Sequence, residues 1–273
     1  MPELPEVETL RRDLSVLVVG ERIRRCEVRL PRLVSCPGCD AFCSRLRGSV
    51  IQGVRRRGKY LILTLDNGWE WVVHLGMTGS LLVAEEGSPE PPHTHLVVHL
   101  SPPRLIRYAD PRTFGETAVV PAGDYSALKG LAQMGPEPLE RSFTPRKLAR
   151  ALDTPTRIKP ALMDQRRIAG IGNIYADEIL FRAGIEPLRP ANSLSEEELR
   201  RLHSSIRDVL REAISKRGSS TSDYVDASGR PGSFQDHHKV YRREGMPCPS
   251  CGETIRRTVL GGRSTHWCPR CQR

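Results

Sequence analysis

The chain has 273 residues, 38% of them hydrophobic, and a mean hydropathy of −0.41, which indicates a soluble protein large enough for two domains. No apolar run approaches the roughly 20 residues that a transmembrane helix needs, and the acidic, proline-rich start does not resemble a secretion signal, so we expect a cytoplasmic protein. Lys+Arg 42 against Asp+Glu 32 gives a net charge of +10, which favours a polyanionic partner such as nucleic acid.

The first predicted element is an amphipathic helix within residues 1–19, where Val7, Leu10 and Leu14 recur at helical spacing. Short β-rich runs then fill residues 22–120. The clearest is KYLILTLDNGWEWVVHLGM, whose turn at 66–68 predicts a hairpin. Strands without long helices between them predict a β-sandwich or barrel. The proline-rich segment MGPEPLERSFTP is typical of a hinge between domains.

A first group of cysteines lies within this β-rich region: Cys26, Cys36, Cys39 and Cys43. Structural disulfides are not expected in a cytosolic chain, so a metal site and a thiol sensor are the alternatives. Cys39 and Cys43 are four residues apart, as successive turns of a helix would place them. Because the CPGC motif lacks a second C-x-x-C pair, we interpret the group as incidental.

The sequence IAGIGNIYADEIL places Gly170, Gly172 and Asn173 directly before an apolar helical run. Glycines there allow close approach of a ligand, and the start of a helix offers N–H groups and a positive dipole to a phosphate. Asn173 could add its amide to such a contact or could only cap the helix. Beside a basic downstream region, contact with DNA is the favoured interpretation.

The clearest predicted helix begins at SLSEEELRRL, where Ser195 and Glu198 form a capping box and Leu194 and Leu199 a hydrophobic staple. Its predicted core face comprises Leu199, Leu202, Ile206, Val209, Leu210 and Ala213. The following segment, residues 218–237, is rich in Gly, Ser and Asp. A loop of this length in a compact protein is usually functional or mobile.

A second group of cysteines forms two C-x-x-C pairs, Cys248/Cys251 and Cys268/Cys271, separated by sixteen residues. This spacing predicts a tetrahedral Zn²⁺ site, and four thiolates leave no open position, so the metal is structural. The residues between the pairs predict two strands joined at Gly261-Gly262, with Arg263 at the hairpin tip, where a guanidinium can bind a phosphate. The last 35 residues carry +6 of the net +10 charge.

Seven motifs together resemble bacterial formamidopyrimidine-DNA glycosylase: MPELPEVE, RRGKYL (56–61), HLGMTGSL (74–81), DPRTFG (110–115), LMDQ (162–165), GIGNIYADE (170–178) and the terminal GRSTHWCPRCQR. The resemblance implies an α+β fold. We expect an N-terminal β-sandwich domain with flanking helices over 1–134 and a hinge at 135–141. A helix–two-turn–helix domain with a lesion-capping loop follows over 142–238, and a β-hairpin zinc finger over 239–273. Duplex DNA would cross the cleft between the two domains.

The resemblance implies a bifunctional glycosylase and abasic-site lyase for oxidised purines such as 8-oxoguanine and formamidopyrimidines. Removal of Met1 would free Pro2 as a secondary amine that forms a Schiff base with deoxyribose. Glu3 would be its general acid and base, and Glu6 could orient water or Pro2, or only favour the helix dipole. Lys59 would serve β-elimination, although an ammonium on a strand could equally bind a phosphate. Arg263 is the family's donor for δ-elimination, although phosphate binding is its primary physical role.

A base inside a duplex must be flipped out before it can be excised, and the vacated space must be filled. By resemblance, Met77, Arg112 and Phe114 form the intercalating trio, with Arg112 facing the orphaned cytosine. Further contacts to the DNA backbone are implied for His74, His93 and Asn173. The expected partner is damaged double-stranded DNA, bound by a monomer within the bacterial nucleoid.

The sequence departs from the family at Pro92, Thr113 and Ser222, which leaves the preference among oxidised purines open. One alternative function is that of endonuclease VIII, which acts on oxidised pyrimidines. That family begins PEGPE, whereas this chain carries Leu4. The other alternative is a catalytically silent zinc-finger protein that binds DNA, which would have no reason to keep Pro2, Glu3 and Lys59 together.

Overall fold

The computed structural model describes residues 1–221 and 223–273, so Ser222 lies outside the described residues. The chain forms two compact units. Unit 1 comprises Met1–Ala132 and Arg217–Ser233, and unit 2 comprises Gln133–Lys216 and Phe234–Arg273. Residues 217–233, which the sequence analysis placed in the second domain, therefore pack with unit 1. The boundaries of independently folding domains stay a prediction.

Unit 1 combines an N-terminal helix, two short helices and two β-sheets. Helix α1 spans Leu4–Leu17, which confirms the predicted N-terminal helix; α2 spans Cys39–Leu46 and α3 Lys129–Ala132. The strands are β1 (Arg25–Val28), β2 (Val34–Cys36), β3 (Ile51–Arg57), β4 (Tyr60–Leu65), β5 (Trp69–His74), β6 (Ser80–Glu85), β7 (Thr94–His99), β8 (Arg104–Ala109) and β9 (Glu116–Pro121). A short 3₁₀ turn precedes β2 at Pro31–Leu33.

The strands form a four-stranded sheet, in the order β1-β7-β8-β6, and a five-stranded sheet, in the order β2-β9-β5-β4-β3. Inward-facing side chains of both sheets join one core cluster with α1; among them are Leu10, Leu63, Trp71, Val98, Ile106 and Val119. This shared core confirms the predicted β-sandwich. The hairpin at 66–68 is also confirmed, since β4 and β5 pair antiparallel with Tyr60 opposite His74. Gly68 supplies the positive φ of 81° within the turn.

Residues 217–233 are tied to unit 1 by charge and by apolar packing. The Arg217 guanidinium lies 2.6 Å from an Asp13 oxygen on α1 and 2.5 Å from an oxygen of the buried Asp226. Tyr224 and Ala227 enter the sandwich core. Periodicity could not show this attachment, because Arg217 lies 204 residues from Asp13 in sequence.

Unit 2 is helical, with a terminal hairpin. Its helices are α4 (Pro145–Ala151), α5 (Ile158–Met163), α6 (Asn173–Ala183) and α7 (Glu196–Ser215). Short 3₁₀ turns lie at Ala191–Ser193 and Phe234–His237. The hairpin strands are β10 (Arg256–Leu260) and β11 (Arg263–Trp267), which confirms the two strands predicted around Gly261-Gly262.

Helix α7 begins as its sequence predicts. The Ser195 hydroxyl accepts a hydrogen bond from the Glu198 N–H at 3.3 Å, and the Glu198 carboxylate accepts one from the Ser195 N–H at 2.8 Å. The predicted core face is buried from Leu202 to Ala213, while Leu199 is half-buried. Among the described residues, no helix combines the length and the apolar character needed to cross a lipid bilayer.

Candidate active site and nucleic-acid interface

The start of the chain places its reactive groups in a buried environment. Met1 is 40% exposed, whereas Pro2, Glu3 and Glu6 are buried. Glu3 is the N-cap of α1, and a reciprocal capping box joins it to Glu6, whose carboxylate accepts the Glu3 N–H at 2.8 Å. The first turn of α1 therefore fixes both carboxylates beside Pro2.

The second oxygen of Glu6 is also engaged. It accepts the Ser219 N–H at 2.7 Å, and a side chain on Gly218 would meet the Glu6 carboxylate at 2.7 Å. The Tyr224 hydroxyl donates to the Glu6 carbonyl at 3.3 Å. Glu6 thus joins the start of α1 to the 217–233 segment through its two carboxylate oxygens.

Lys59 lies in the turn directly before β4, next to the Tyr60–His74 pair. Its side chain is buried, and its ammonium helps to lower the pKa of two neighbours. One is the amino terminus of Met1, whose pKa is lowered mainly by burial, against the opposing effect of the Glu3 and Glu6 carboxylates. Unit 1 therefore brings together the predicted catalytic residues Pro2, Glu3, Glu6 and Lys59.

The other neighbour of Lys59 is His74. Burial, and then the Lys59 charge, lower the pKa of His74 to about 4, so its ring is neutral at physiological pH. The Gly76 N–H donates to His74 Nδ1 at 3.3 Å. Because Nδ1 is the acceptor, the ring proton is on Nε2, and His74 can contact a phosphate only as a neutral donor.

The predicted intercalating residues lie on two loops that one buried carboxylate connects. Asp110 Oδ1 accepts the Thr78 hydroxyl at 2.6 Å and the Arg112 N–H at 3.2 Å, and Oδ2 accepts the Gly115 N–H at 2.9 Å. The Arg112 guanidinium carbon lies 4.7 Å from the Phe114 ring centroid, and Phe114 is 57% exposed. Met77 is half-buried on the neighbouring loop.

The two loops pack without space for further side chains. A Cβ on Gly76 would lie 2.5 Å from the backbone of Phe114, and one on Gly115 would lie 1.6 Å from the Tyr108 hydroxyl. These glycines therefore allow the loop of Met77 to lie directly against the loop of Phe114. Met77, Arg112 and Phe114 are presented by one packed loop pair.

His93 and Thr113 share an unusual backbone conformation. Their φ angles are 61° and 55°, in the left-handed region that non-glycine residues rarely adopt. The His93 carbonyl accepts the Asp110 N–H at 3.0 Å, which fixes this exposed residue to the loop of Arg112. Two of the departures from the family therefore lie close to this contact. Pro92 directly precedes His93, and Thr113 lies on the loop of Arg112.

In unit 2, Asn173 is the first residue of α6, and the N-cap is Gly172. The structure thus excludes the capping alternative for Asn173. Its amide donates to the Ser264 hydroxyl on β11 at 3.4 Å. Gln165 holds the preceding turn, since its side chain donates to Ile171 O and accepts from the Gly170 N–H, both at 2.8 Å. Gly172 and Asn173 therefore stand at a fixed helix start beside the hairpin.

A buried ion pair attaches the hairpin to the helices of unit 2. Lys159 Nζ on α5 lies 2.8 Å from Asp177 Oδ1 on α6, and it donates to Ser264 O at 2.6 Å and Thr265 Oγ1 at 3.0 Å. Asp177 Oδ2 accepts the His266 N–H at 3.0 Å. Arg263 is exposed at the hairpin tip, directly before Ser264. The predicted phosphate-binding residues Asn173 and Arg263 therefore lie close together.

The adjacent acid, Glu178, holds the segment that leads to the zinc finger. Its carboxylate accepts the N–H groups of Lys239, Val240 and Tyr241 at 2.9 to 3.0 Å. Burial raises the pKa of Glu178, and the three N–H donors act against that rise. Asp177 and Glu178 together anchor the terminal segment from consecutive positions on α6.

The four cysteines of the finger form a preformed tetrahedral metal site. The sulfur atoms of Cys248, Cys251, Cys268 and Cys271 all lie within 4.8 Å of one another. Cys248 and Cys271 are 3.8 Å apart, and Cys251 and Cys268 are 3.5 Å apart. A tetrahedron with Zn–S bonds of about 2.3 Å has S···S edges of about 3.8 Å. The residues thus fit one structural Zn²⁺, as predicted.

Four positioning residues were not assigned roles from the sequence: Asp110, Gln165, Asp177 and Glu178. Each belongs to one of the motifs that carry the family resemblance, namely DPRTFG, LMDQ or GIGNIYADE. Their place within these motifs was the available signal. Their partners lie on other elements, so the signal could not specify what they hold.

Comparison with known proteins assigns these elements to one family. Residues 1–117 match the formamidopyrimidine-DNA glycosylase N-terminal domain, 134–225 the formamidopyrimidine-DNA glycosylase H2TH domain, and 245–273 a zinc finger found in FPG and IleRS. A formamidopyrimidine-DNA glycosylase of Roseiflexus sp. strain RS-1 is 48% identical over all of both chains.

Solved structures agree with this assignment. The crystal structure of the MutM (Fpg) protein from Thermus thermophilus is 45% identical, with a TM-score of 0.91 over 99% of this chain and 98% of that one. Lactococcus lactis Fpg in complex with DNA containing Fapy-dG is 36% identical, with a TM-score of 0.91 over 99% of this chain and 100% of that one. This chain belongs to the formamidopyrimidine-DNA glycosylase family.

Proposed function

We propose that the protein flips oxidised purines, such as 8-oxoguanine and formamidopyrimidines, out of duplex DNA, excises them and then cuts the strand at the abasic site. The observation that carries this proposal is the burial of Pro2 beside Glu3, Glu6 and Lys59 in a chain of this family. The relative from Lactococcus lactis that was crystallised with Fapy-dG DNA supports the choice of substrate.

Pro2 acts as the nucleophile once Met1 has been removed. Its secondary amine attacks C1′ of the damaged nucleotide, the bond to the base breaks, and the base leaves with a proton. The opened sugar and the amine then form a positively charged iminium, which makes the C2′ proton more acidic. Burial lowers the pKa of the Met1 amino group, which precedes Pro2 in the uncleaved chain. The same buried surroundings favour the neutral form of the Pro2 amine once Met1 is gone.

Glu3 is the general acid and base of this sequence. From the N-cap of α1, its carboxyl group protonates the ring oxygen of the sugar and carries protons during the eliminations. Lys59 assists β-elimination, in which the 3′ phosphate leaves as the C2′ proton is removed. Glu6 positions Glu3 and the 217–233 segment through its two N–H contacts. The 218–237 segment closes over the flipped nucleotide.

The loop pair fixed by Asp110 stabilises the duplex after the nucleotide has left it. Phe114 wedges between bases, while Met77 and Arg112 fill the vacated space and Arg112 faces the orphaned cytosine. Three further residues contact phosphates: His74 as a neutral donor, His93 from its exposed loop, and Asn173 at the start of α6.

Arg263 binds a phosphate from the hairpin tip and assists δ-elimination. Its place next to Ser264, which contacts both Asn173 and Lys159, supports a joint phosphate site in unit 2. The zinc ion holds that hairpin and takes no direct part in the chemistry. The protein acts as a monomer in the bacterial cytoplasm, on the nucleoid.

Borohydride trapping tests the proposal. The purified protein is incubated with a duplex containing 8-oxoguanine opposite cytosine, or with one containing an oxidised pyrimidine, and is reduced with borohydride. We expect a covalent adduct at Pro2, located by peptide mass spectrometry, and faster trapping on the oxidised purine. A preference for the pyrimidine duplex would favour the endonuclease VIII alternative. Binding without any adduct would favour the silent zinc-finger alternative.

A further inference from the structure

Three cysteines outside the zinc finger line one pocket in unit 1. Cys26 on β1 and Cys39 and Cys43 on α2 surround a cavity of about 530 Å³, together with Asp40 and Arg47. None of these residues takes part in the glycosylase mechanism proposed above. The pocket therefore needs an explanation of its own.

The three cysteines of this pocket lie on neighbouring elements. The Cys43 thiol on α2 lies 3.5 Å from the Cys26 carbonyl oxygen on β1. Cys39 is the first residue of α2 and lies one turn before Cys43. Side chains four residues apart on a helix are neighbours, about 5–6 Å apart at Cβ, so both can reach one ligand.

The spatial grouping differs from the grouping in sequence. The CPGC motif pairs Cys36 with Cys39, but Cys36 lies on β2 and is absent from the residues that line the pocket. Cys26, which precedes the motif by ten residues, takes the third position instead. The pocket thus brings together three cysteines from β1 and α2, only one of which belongs to the C-x-x-C motif.

A peroxide-sensing disulfide is the weaker explanation of this convergence. A disulfide joins two thiols, so it would leave the third thiol of the pocket without a role. A soft metal ion can bind all three sulfur atoms as thiolates.

We propose that Cys26, Cys39 and Cys43 form a binding site for a thiophilic metal ion of the Cu(I) class. Each ligand gives its proton to solvent as a metal–sulfur bond forms, and no electron is transferred. The guanidinium of Arg47 at the pocket offsets the resulting negative charge. Arg47 follows α2 directly and acts as its C-cap.

Metal binding requires one local change. Among the described residues, only the four zinc ligands have sulfur atoms that all lie within 4.8 Å of one another. The Cys39 thiol lies 3.8 Å from the Pro31 carbonyl oxygen, so it must rotate about its Cα–Cβ bond to join the other two. Cys39 is half-buried and does not belong to the core cluster, and its side chain can adopt another staggered rotamer.

The bound ion would connect α2 to the sheet edge formed by β1. The helix already packs on the sandwich core through Phe42 and Leu46, and the metal would add a second attachment. A ligand that binds the folded state stabilises it by mass action. The expected result is a rise in the melting temperature of the protein when the site is filled.

The test uses the full-length, zinc-loaded protein under anaerobic conditions, titrated with Cu(I) in competition with bicinchoninate. Bound copper and retained zinc are both measured by elemental analysis. We expect wild-type protein to bind one copper ion per chain and to keep its zinc. Cys39→Ser and Cys43→Ser should each weaken copper binding by at least the roughly 10–100-fold that loss of a metal's outer-shell partner causes.

Cys36→Ser is the matched control, because it removes a thiol of the same sequence group that lies outside the pocket. It should bind copper as the wild type does and show the same rise in melting temperature. Because Cys39 is only half-buried, we expect Cys39→Ser to fold. It can therefore decide the test even if Cys26→Ser, at a buried position, fails to fold. Equal copper binding by wild type and Cys39→Ser, or copper uptake matched by zinc release, would overturn the proposal.

Discussion

The two units use buried carboxylates in different ways. In unit 1, Glu6 accepts one N–H from Glu3 and one from Ser219, so it holds groups that lie beside Pro2. In unit 2, Glu178 accepts three consecutive N–H groups of the segment that leads to the finger. Glu6 therefore belongs to the surroundings of the proposed reaction. Glu178 instead fixes the segment next to the zinc finger, which is proposed to bind DNA.

We therefore expect the two units to control different quantities, namely the rate of base excision and the affinity for duplex DNA. Changes around Pro2 should reduce excision and leave duplex binding largely intact, because phosphate contacts supply most of the affinity for DNA. Changes around Glu178 or the zinc ligands should do the reverse. The four predictions below test this separation, in order of decreasing effect.

Pro2→Gly should lower the rate of base excision by roughly 10²–10⁴-fold, the scale expected when a group acting directly in bond cleavage is removed. The secondary amine is replaced by a primary one without the proline ring, while the phosphate contacts remain. Single-turnover excision and fluorescence anisotropy with the same duplex measure the two effects separately. Pro5→Ala, a change at the next proline in the sequence, is the control; unchanged excision by Pro2→Gly would disprove the role of Pro2.

Cys268→Ser should release the zinc ion and weaken duplex binding, because metal binding and folding are coupled in small zinc sites. Arg263 and Ser264 would then lose the position in which the finger holds them. Zinc content and Kd are measured at several salt concentrations, and the slope of log Kd against log salt should fall by about 0.9 for each phosphate that the variant no longer binds. Cys36→Ser should keep both zinc and slope. Wild-type affinity in zinc-free protein would show that the finger is dispensable.

Glu6→Gln and Glu178→Gln form a matched pair. Each substitution replaces an acceptor oxygen by an amide donor that faces a backbone N–H, a mismatch that costs about 1–3 kcal/mol. Glu6→Gln should mainly lower single-turnover excision, and Glu178→Gln should mainly raise Kd. Glu8→Gln, on the same helix as Glu6, is the control. Equal loss of rate and affinity in both variants would remove the distinction between the units.

The smallest expected effect concerns one histidine in each unit. Burial, with help from Lys59 and Arg242 respectively, lowers the pKa of His74 and of His238 to about 4. Since an unfolded histidine has a pKa of about 6.5, the unfolded state binds more protons between these values. The contribution of the two neutral histidines to the free energy of unfolding should therefore be fully present above about pH 6.5. It should decline as the pH falls towards 4.

Melting temperatures of wild type, His74→Gln and His238→Gln across this pH range measure the effect. Each substitution removes one titrating group, so each curve should be flatter than that of the wild type. Curves of identical slope would mean that neither ring is buried in its neutral form. A change in only one variant would assign the acid sensitivity to a single unit.

Local patterns in the sequence were sufficient for the elements that depend on neighbours in the chain. The Asn67-Gly68 hairpin, the Ser195 capping box and the C-x-x-C pairs are all determined within a few residues or by fixed spacing. Family resemblance then supplied predicted roles for residues such as Lys59, whose function a strand pattern alone leaves ambiguous.

Long-range contacts could not be predicted in the same way. Glu6 meets Ser219 across 213 residues, Glu178 meets Val240 across 62, and Thr78 meets Asp110 across 32. Hydrophobic periodicity reports which face of an element is buried and does not identify the partner. The placement of 217–233 in unit 1 and the joining of Cys26 to Cys43 were missed for this reason.

The Asp110 carboxylate has one further consequence. Because it ties the hydroxyl of one loop to the backbone of the other, the exposed ring of Phe114 is carried on a support that is already ordered before any duplex arrives. An enzyme that inspects many intact base pairs for each damaged one would otherwise lose conformational entropy at every inspection. For the wedge proposed at Phe114, a prearranged ring avoids that repeated loss, so we expect Asp110 to affect the speed of the search as well as the final affinity.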